Sequence, residues 1–206
     1  MHAGFDHPRG NSSVITTPHI IQHVWENNSE IIQTKKDEVV SLLHQENINI
    51  PFKAAAEYLM DDHFVKLFQT EKLLTLKDNY VLVEMSYINA PIQLYDIIFD
   101  LQVAGYKPVL AHPERYVFYH KNFSEYSKLK KAGCLFQLNM LSIVGYYGEG
   151  VTLTAKKLLE SGMIDFVGSD VHHSKHIEAF NQKVDMKDLT PLQEAISKNN
   201  FFTFEK

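Results

Sequence analysis

Five short apolar runs in this chain each lead to a histidine or an acidic residue. The runs are VITTPHI, PFKAAAEY, YVLVEM, KPVLAHPERY and DFVGSDVHH, and the residues concerned are His19, Glu57, Glu84, His112, Asp170 and His172. Buried parallel strands are short runs of β-branched and aliphatic residues, and in barrels of such strands the functional groups gather at the carboxyl ends. The pattern therefore predicts parallel strands whose carboxyl ends share one functional face.

The six side chains are three imidazoles and three carboxylates, and these ligand types suit zinc, iron and manganese. A single histidine or buried acid at a strand end is more often a hydrogen-bonded structural residue than a ligand. Six such groups at corresponding positions favour the ligand interpretation. Because several acids in one place need cations to stay ionised together, we expect a site for more than one metal ion.

The composition limits the classes of protein that fit. A chain of 206 residues with 45% hydrophobic residues can form one globular domain with a full core. A net charge of −5 without a Lys/Arg block argues against nucleic acid or a membrane surface as the main ligand. No apolar stretch approaches the roughly 20 residues of a membrane span, and the first ten residues lack the apolar core of a signal peptide. We therefore expect a soluble, cytoplasmic protein without membrane insertion.

Cys134 is the only cysteine, so an intrachain disulfide is impossible and a reducing compartment fits. Its surroundings, KKAGCLFQLN, favour a buried strand residue over a nucleophile. The chain also has no Cys-x5-Arg phosphate loop. These two observations exclude a cysteine-dependent phosphatase.

Predicted strands and helices alternate along the chain, as in a parallel α/β sheet or barrel. The strands are predicted at 14–17, 48–56, 80–85, 108–111, 135–139 and 164–168, and the helices at 29–46, 91–105, 124–132 and 152–161. A loosely helical tail from residue 189 is expected to pack onto the segment FFTF. Six strand–helix units do not close a regular barrel of eight.

These motifs resemble those of the polymerase-and-histidinol-phosphatase metallohydrolases, and among them the bacterial tyrosine phosphatases of capsule and exopolysaccharide operons. The matching segments span about residues 14–180 and are ITTPHI, AAEYLMDDHF, YVLVEM, AHPERY, QLNMLSIVGYYGEG and FVGSDVHH. AHPERY followed by SDVHH is the most specific combination. The resemblance implies a distorted (β/α)7-type barrel, up to three metal ions, usually manganese, iron or zinc, and activity on phosphate esters.

The resemblance also implies how the ligands divide among the ions. One carboxylate bridges two ions, and the remaining ligands serve one ion each. The bridging residue is Glu57; Asp170 binds the first ion, Glu84 and His112 bind the second, and His19 and His172 bind the third.

Three residues have implied catalytic roles. Arg115 resembles the phosphate clamp, because its planar fork suits paired phosphate oxygens. His172, or a water on a metal ion, is implied as the proton donor, and Asp170 acts through the first ion. Asn139 lies at a strand end without an assignable role, and the loop 145–150 is expected to edge the pocket.

The chain departs from the family pattern at its beginning. The family opens with a strand ending in His-x-His, whereas this sequence contains no His-x-His, and His2 and His7 follow no apolar strand. We therefore expect the first βα unit to be missing or altered, and residues 1–13 to be irregular. We also expect the metallophosphatase domain at 14–206 to bind fewer than three ions.

The expected function is metal-dependent hydrolysis of a phosphomonoester, foremost dephosphorylation of phosphotyrosine in a tyrosine kinase of polysaccharide export. Two alternatives stay open. One is a catalytically impaired relative that binds a phosphorylated partner, and the other is a phosphatase for small molecules such as histidinol phosphate. Metal content and activity on a phosphotyrosine peptide separate them. The oligomeric state also stays open.

Overall fold

The computed structural model describes residues 13–204, so most of the segment 1–13 predicted to be irregular lies outside the described part. The strands are β1 (Val14–Thr16), β2 (His19–Ile20), β3 (Phe52–Ala54), β4 (Glu57–Leu59), β5 (Tyr80–Glu84), β6 (Lys107–Ala111), β7 (Leu135–Asn139) and β8 (Phe166–Gly168). The helices are α1 (Ser29–Gln45), α2 (Asp62–Thr70), α3 (Leu94–Val103), α4 (Ser124–Lys131), α5 (Met140–Ile143), α6 (Glu149–Glu160), α7 (Ser174–Ala179) and α8 (Thr190–Lys198). Among these residues, no helix is both long enough and apolar enough to cross a membrane.

Six parallel strands form the main sheet, in the order β2-β4-β5-β6-β7-β8. A second, two-stranded parallel sheet pairs β1 with β3. The predicted parallel α/β fold is therefore confirmed. Closure into a barrel is not seen within residues 13–204, where β2 and β8 are the two edges of the main sheet.

The strand predicted at 48–56 needs a correction. It begins at Phe52, leaves the small sheet after Ala54, and resumes as β4 in the main sheet, with Glu57 as the first residue of β4. The segment that pairs with it makes the same change, because β1 lies in the small sheet, β2 lies in the main sheet, and Pro18 lies between them. The two segments stay paired at this point, since the Glu57 amide donates to the Pro18 carbonyl at 3.0 Å. Pro18 itself has no N–H for a ladder hydrogen bond. Glu57 thus lies just past this joint instead of at the end of a strand.

Helices α2, α5 and α7 were not predicted from the sequence. The start of α2 has a local cause, because the Asp61 side chain accepts a hydrogen bond from the Phe64 amide at 2.8 Å and so caps the first turn. Helix α2 is short and lies between a strand and a long connection. Its apolar residues Phe64, Leu67 and Phe68 do follow the helical spacing, and Phe64 and Phe68 are buried, so this helix had a signal in the sequence that was missed.

Both faces of the main sheet are buried, which explains why the strands are continuous apolar runs in the sequence. Along β5, Val81 and Val83 face the large core under the helices, while Leu82 faces a smaller inner cluster. The inner cluster consists of Ala55, Leu76, Leu82, Val109, Ala111 and Phe166. The strands are therefore held from both sides up to their carboxyl ends.

The C-terminal segment closes the amino end of the sheet. The 3₁₀ turn Asn199–Phe202 places the Phe202 ring 4.5 Å from the Phe166 ring and the Phe201 ring 4.8 Å from the Tyr80 ring, between centroids. Asn199 also bonds through its side chain to the amide and carbonyl of Val167 on edge strand β8, at 3.1 and 2.8 Å. The amino end is thereby filled, and the carboxyl end carries the polar groups.

Candidate metal centre

Four of the predicted ligands meet at the carboxyl end of the main sheet. Strand register brings them there, since His19 lies opposite Glu57 and Leu59 lies opposite Glu84. His19 Nδ1 is 2.9 Å from Glu84 Oε1 and 3.7 Å from Glu57 Oε2. His112 Nε2 approaches the same two carboxylates from the other side, at 3.2 Å from Glu57 and 3.7 Å from Glu84. Two imidazoles thus flank two carboxylates.

The donor set fits a metal ion. Each distance above is below about 4.4 Å, twice the usual ligand bond of about 2.2 Å. His19, Glu57 and Glu84 offer ligand atoms that lie within 4.8 Å of one another. His19 Nδ1 and Glu57 Oε1 are buried and have no hydrogen bond of acceptable geometry. Buried polar atoms of this kind need a partner, and a cation shared by both residues supplies one.

The acids alter the protonation of the imidazoles. The close contact with Glu84 raises the pKa of His19 above its ordinary value, and the charges of Glu57 and Glu84 add to the effect against the opposing influence of burial. Burial is the largest influence on His112 and lowers its pKa, but the close contact with Glu57 and the charge of that residue outweigh it and raise the pKa overall. Positive charge is therefore favoured between the two carboxylates.

Two candidate site residues have left-handed backbone conformations. His112 has φ +36° directly after β6, and Asp170 has φ +49° in the loop after β8. This region costs a residue with a side chain about 1–3 kcal/mol, and such residues cluster at functional sites. At both positions the chain turns sharply at the strand end.

Asp170 belongs to a second cluster beside the four ligands. Its Oδ2 accepts from Arg115 Nη1 at 3.0 Å and from Asn139 Nδ2 at 2.7 Å. His172 Nδ1 lies 3.3 Å from Asp170 Oδ1 and 2.9 Å from the Asp170 carbonyl. The His172 and His19 rings lie 5.9 Å apart between centroids, so the two clusters adjoin.

The Arg115 guanidinium is held between two aromatic rings. It lies 4.7 Å from the Tyr87 ring centroid and 4.1 Å from that of Tyr147. Stacking of this kind stabilises a guanidinium and fixes its plane. The Tyr87 hydroxyl also lies 3.4 Å from His112 Nε2. Tyr147 belongs to the loop 145–150, which was expected to edge the pocket.

Sequence reasoning missed Glu114, a fully buried carboxylate inside AHPERY. Its Oε1 accepts from the Asn139 amide at 3.0 Å and from Ser142 Oγ at 2.6 Å, and burial raises its pKa. Asn139, which had no assignable role, thereby connects Glu114 to Asp170. The one sequence feature that could have identified Glu114 is its position as an acidic residue inside the specific motif AHPERY.

A cavity of about 580 Å³ opens over both clusters. Its floor and walls contain the six side chains His19, Glu84, His112, Arg115, Asp170 and His172. The structure thus brings all six predicted ligands and Arg115 to one end of the sheet. Among residues 13–204, only the trio of His19, Glu57 and Glu84 has all its ligand atoms close together.

Fold and site together define a class: a parallel α/β protein with a cluster of histidines and carboxylates that could hold a metal ion, at the carboxyl end of its main sheet. Residues 5–186 match the family described as "Capsular polysaccharide synthesis, CpsB/CapC". The chain belongs to this family.

Several curated proteins are similar in sequence. "Tyrosine-protein phosphatase YwqE" of Bacillus subtilis (strain 168) is 29% identical over 81% of this chain and 66% of its own length. "Putative tyrosine-protein phosphatase CapC" of Staphylococcus aureus is 23% identical over 78% and 64%, respectively. "Tyrosine-protein phosphatase CpsB" of Streptococcus pneumoniae is 25% identical over 80% and 70%. The chain thus spans about two thirds of the length of these relatives.

A solved structure is similar as well. It comes from work titled "Crystal structures of YwqE from Bacillus subtilis and CpsB from Streptococcus pneumoniae, unique metal-dependent tyrosine phosphatases". The TM-score is 0.74 at 28% sequence identity, and the match covers 81% of this chain and 70% of the other.

Proposed function

We propose that this chain is a metal-dependent phosphatase that removes phosphate from tyrosine residues of proteins, with residues 14–206 as its catalytic domain. The observation that carries the proposal is the pair of clusters under one cavity. One cluster has the donor set of a metal centre, and the other presents Arg115 beside it. The activity for which the relatives are named, that of a tyrosine phosphatase, supports the proposal.

His19, Glu57, Glu84 and His112 would hold metal, with Asp170 and His172 as further ligands. Nitrogen and carboxylate donors suit manganese, iron or zinc, and we favour manganese. When bound, such ions lower the pKa of water and withdraw charge from phosphoryl oxygens. Glu57 touches both histidines of the metal centre, which supports its role as the bridging carboxylate.

The remaining residues act on the substrate. Arg115 lines the cavity with its plane fixed by Tyr87 and Tyr147, and the N–H groups that are not bonded to Asp170 would bind phosphate oxygens. Asp170 holds His172 through Nδ1, which leaves Nε2 either to bind an ion or, where it binds none, to transfer a proton.

In the reaction, a water oxygen bonds to phosphorus while the bond from phosphorus to the tyrosine oxygen breaks. That oxygen leaves with the bonding electrons and takes up a proton, giving tyrosine and inorganic phosphate. Because a phenol has a pKa near 10, the phenolate leaves readily and proton donation by His172 can be modest. Negative charge on the phosphoryl oxygens is offset by Arg115.

The family description, capsular polysaccharide synthesis, supports a partner in that process. We propose a tyrosine kinase of polysaccharide export as the phosphorylated protein. We also retain the distorted (β/α)7-type barrel as the finer description of the fold.

The test measures phosphate release from a phosphotyrosine peptide, a phosphoserine peptide and histidinol phosphate, with and without added Mn²⁺, together with metal content per chain. We expect metal-dependent release from phosphotyrosine above the other two substrates. Arg115→Ala should keep the metal and lower kcat/KM about 100-fold or more. Arg115→Lys should also be poor, since a point charge does not replace the fork.

Other results would favour the alternatives. Faster turnover of histidinol phosphate would indicate a small-molecule phosphatase. Metal-dependent binding of the phosphopeptide without release of phosphate would indicate an impaired relative that acts by binding. Loss of metal in Arg115→Ala would show that the contact with Asp170 is a structural salt bridge.

A further inference from the structure

A small hairpin places the only tryptophan of the chain at the mouth of the cavity. Ile21 and Trp25 exchange two backbone hydrogen bonds, of 3.1 and 2.9 Å, and His23 at the turn has φ +65°. The Trp25 residue is 56% exposed. Burial of an indole contributes a large favourable free energy, and contact with a ligand in the cavity would bury this one.

Trp25 continues a wall of aromatic rings. Its ring lies 6.4 Å from the His19 ring with 26° between the planes, and the His19 ring lies 5.9 Å from that of His172 at 22°. The His19 ring is thus stacked with a ring on either side, and all three residues line the cavity. The two histidine rings belong to the candidate metal centre, and the indole carries no charge.

A second apolar side chain lies in the same lining on another loop. Ile88 follows β5, is 85% exposed and lines the same cavity as Trp25. The lining therefore contains the charged side chains of Arg115 and Asp170, which are about one fifth exposed, together with the two strongly exposed apolar side chains of Trp25 and Ile88. A ligand that fits both sets of side chains has an anionic head and an apolar body directly behind it.

We infer that Trp25 and Ile88 form an apolar subsite that binds the aromatic ring of an aryl phosphomonoester while its phosphate lies against Arg115. The inference rests on the proposed function. It assigns the preference for substrates with an aromatic ring to two residues outside the candidate metal centre. Arg115 selects this occupant, because only one of its N–H nitrogens is bonded to Asp170 and a purely apolar ligand would leave the other N–H groups in the cavity unused. Alkyl phosphomonoesters gain less from this subsite, since a small alkyl group does not reach the indole.

The test uses phosphonates as competitive inhibitors, because they contain no cleavable phosphate ester and so remove differences in leaving group. Trp25→Ala should weaken inhibition by benzylphosphonate about 10-fold, in line with a lost aromatic pair and its buried area, and Trp25→Phe should restore most of it. Inhibition by methylphosphonate should change less than about twofold. Val24→Ala is the matched control, since Val24 is the exposed neighbour outside the cavity lining.

The fluorescence of Trp25 gives a readout that needs no turnover. Benzylphosphonate should change it at lower concentration than methylphosphonate, and Ile88→Ala should raise the concentration required. Ile92→Ala, at a fully exposed position outside the lining, should have no effect. Equal binding of the two phosphonates would reject the subsite alone. No binding of either would reject both the subsite and the proposed function.

Discussion

The six candidate ligands divide between the middle and the edges of the main sheet. The inner group consists of Glu57, Glu84 and His112, on or directly after β4, β5 and β6, and the edge group consists of His19, Asp170 and His172, on β2 and after β8. Side chains of the inner group are 5–6% exposed, and those of the edge group are 19–53% exposed. The same residue types thus occur in two different environments.

The two groups are also held by different forces. Strands under the inner group have a neighbour on each side and apolar contacts on both faces. The edge group relies on polar contacts, such as Asn27 Nδ2 to the His19 carbonyl at 2.8 Å and Asn139 to Asp170. Single hydrogen bonds of this kind contribute about 0.5–1.5 kcal/mol net. The inner group is preorganised by packing, whereas the edge group is held mainly by polar contacts.

The largest expected effect compares one residue from each group. Glu57→Gln keeps the shape but removes a negative charge from between two histidines, so bound manganese should fall sharply and turnover should drop about 100-fold or more. His172→Asn should reduce turnover by about 10-fold to 100-fold while most of the metal remains. Metal per chain and turnover of a phosphotyrosine peptide are the measurements.

Glu160→Gln on the exposed side of α6 is the control for a change of one negative charge. It should leave metal content and turnover unchanged. Equal loss of metal in Glu57→Gln and His172→Asn would contradict the division into an inner and an edge group.

The next effect concerns the helices that follow these strands. Helix α3, after inner strand β5, buries Leu94, Ile97, Ile98 and Leu101, whereas α1, after edge strand β2, buries only Ile32 of its 17 residues. Leu101→Ala should lower the free energy of unfolding by about 2–5 kcal/mol. Leu42→Ala on α1 should change it by less than about 0.5 kcal/mol. Urea denaturation measures both, and a similar cost for the two would mean that α1 packs more tightly than its exposure indicates.

The sequence was informative wherever a strand is buried on both faces. Such strands are continuous apolar runs, so the pattern of apolar residues alone locates the strand ends at Glu84 and His112. The strand predicted at 48–56 was wrong because the chain leaves one sheet and enters another within a continuous apolar run. That change depends on pairing with other strands, which the run itself does not reveal. The contacts of Glu114 with Asn139 and Ser142 join segments 25 and 28 residues apart in sequence, and no periodic pattern predicts them.

The last prediction, with the smallest expected effect, concerns whether the strands that carry the inner group stay ordered without metal. Cys134, next to β7, is 1% exposed, and burial raises the pKa of its thiol to about 12. The reactive form is the thiolate, so at pH 8 only about one folded molecule in 10,000 carries it. Since the folded pKa lies above the unfolded value, this group contributes stability below about pH 9 that is lost as the pH rises toward 12.

Labelling of Cys134 by a disulfide reagent at pH 8 should therefore be slow until the protein opens. If packing alone orders the inner group, a chelator should leave this labelling rate unchanged while it accelerates amide hydrogen exchange around His19 and His172. A chelator that speeds labelling of Cys134 as much as exchange at the edges would show that the ions hold the whole carboxyl end together.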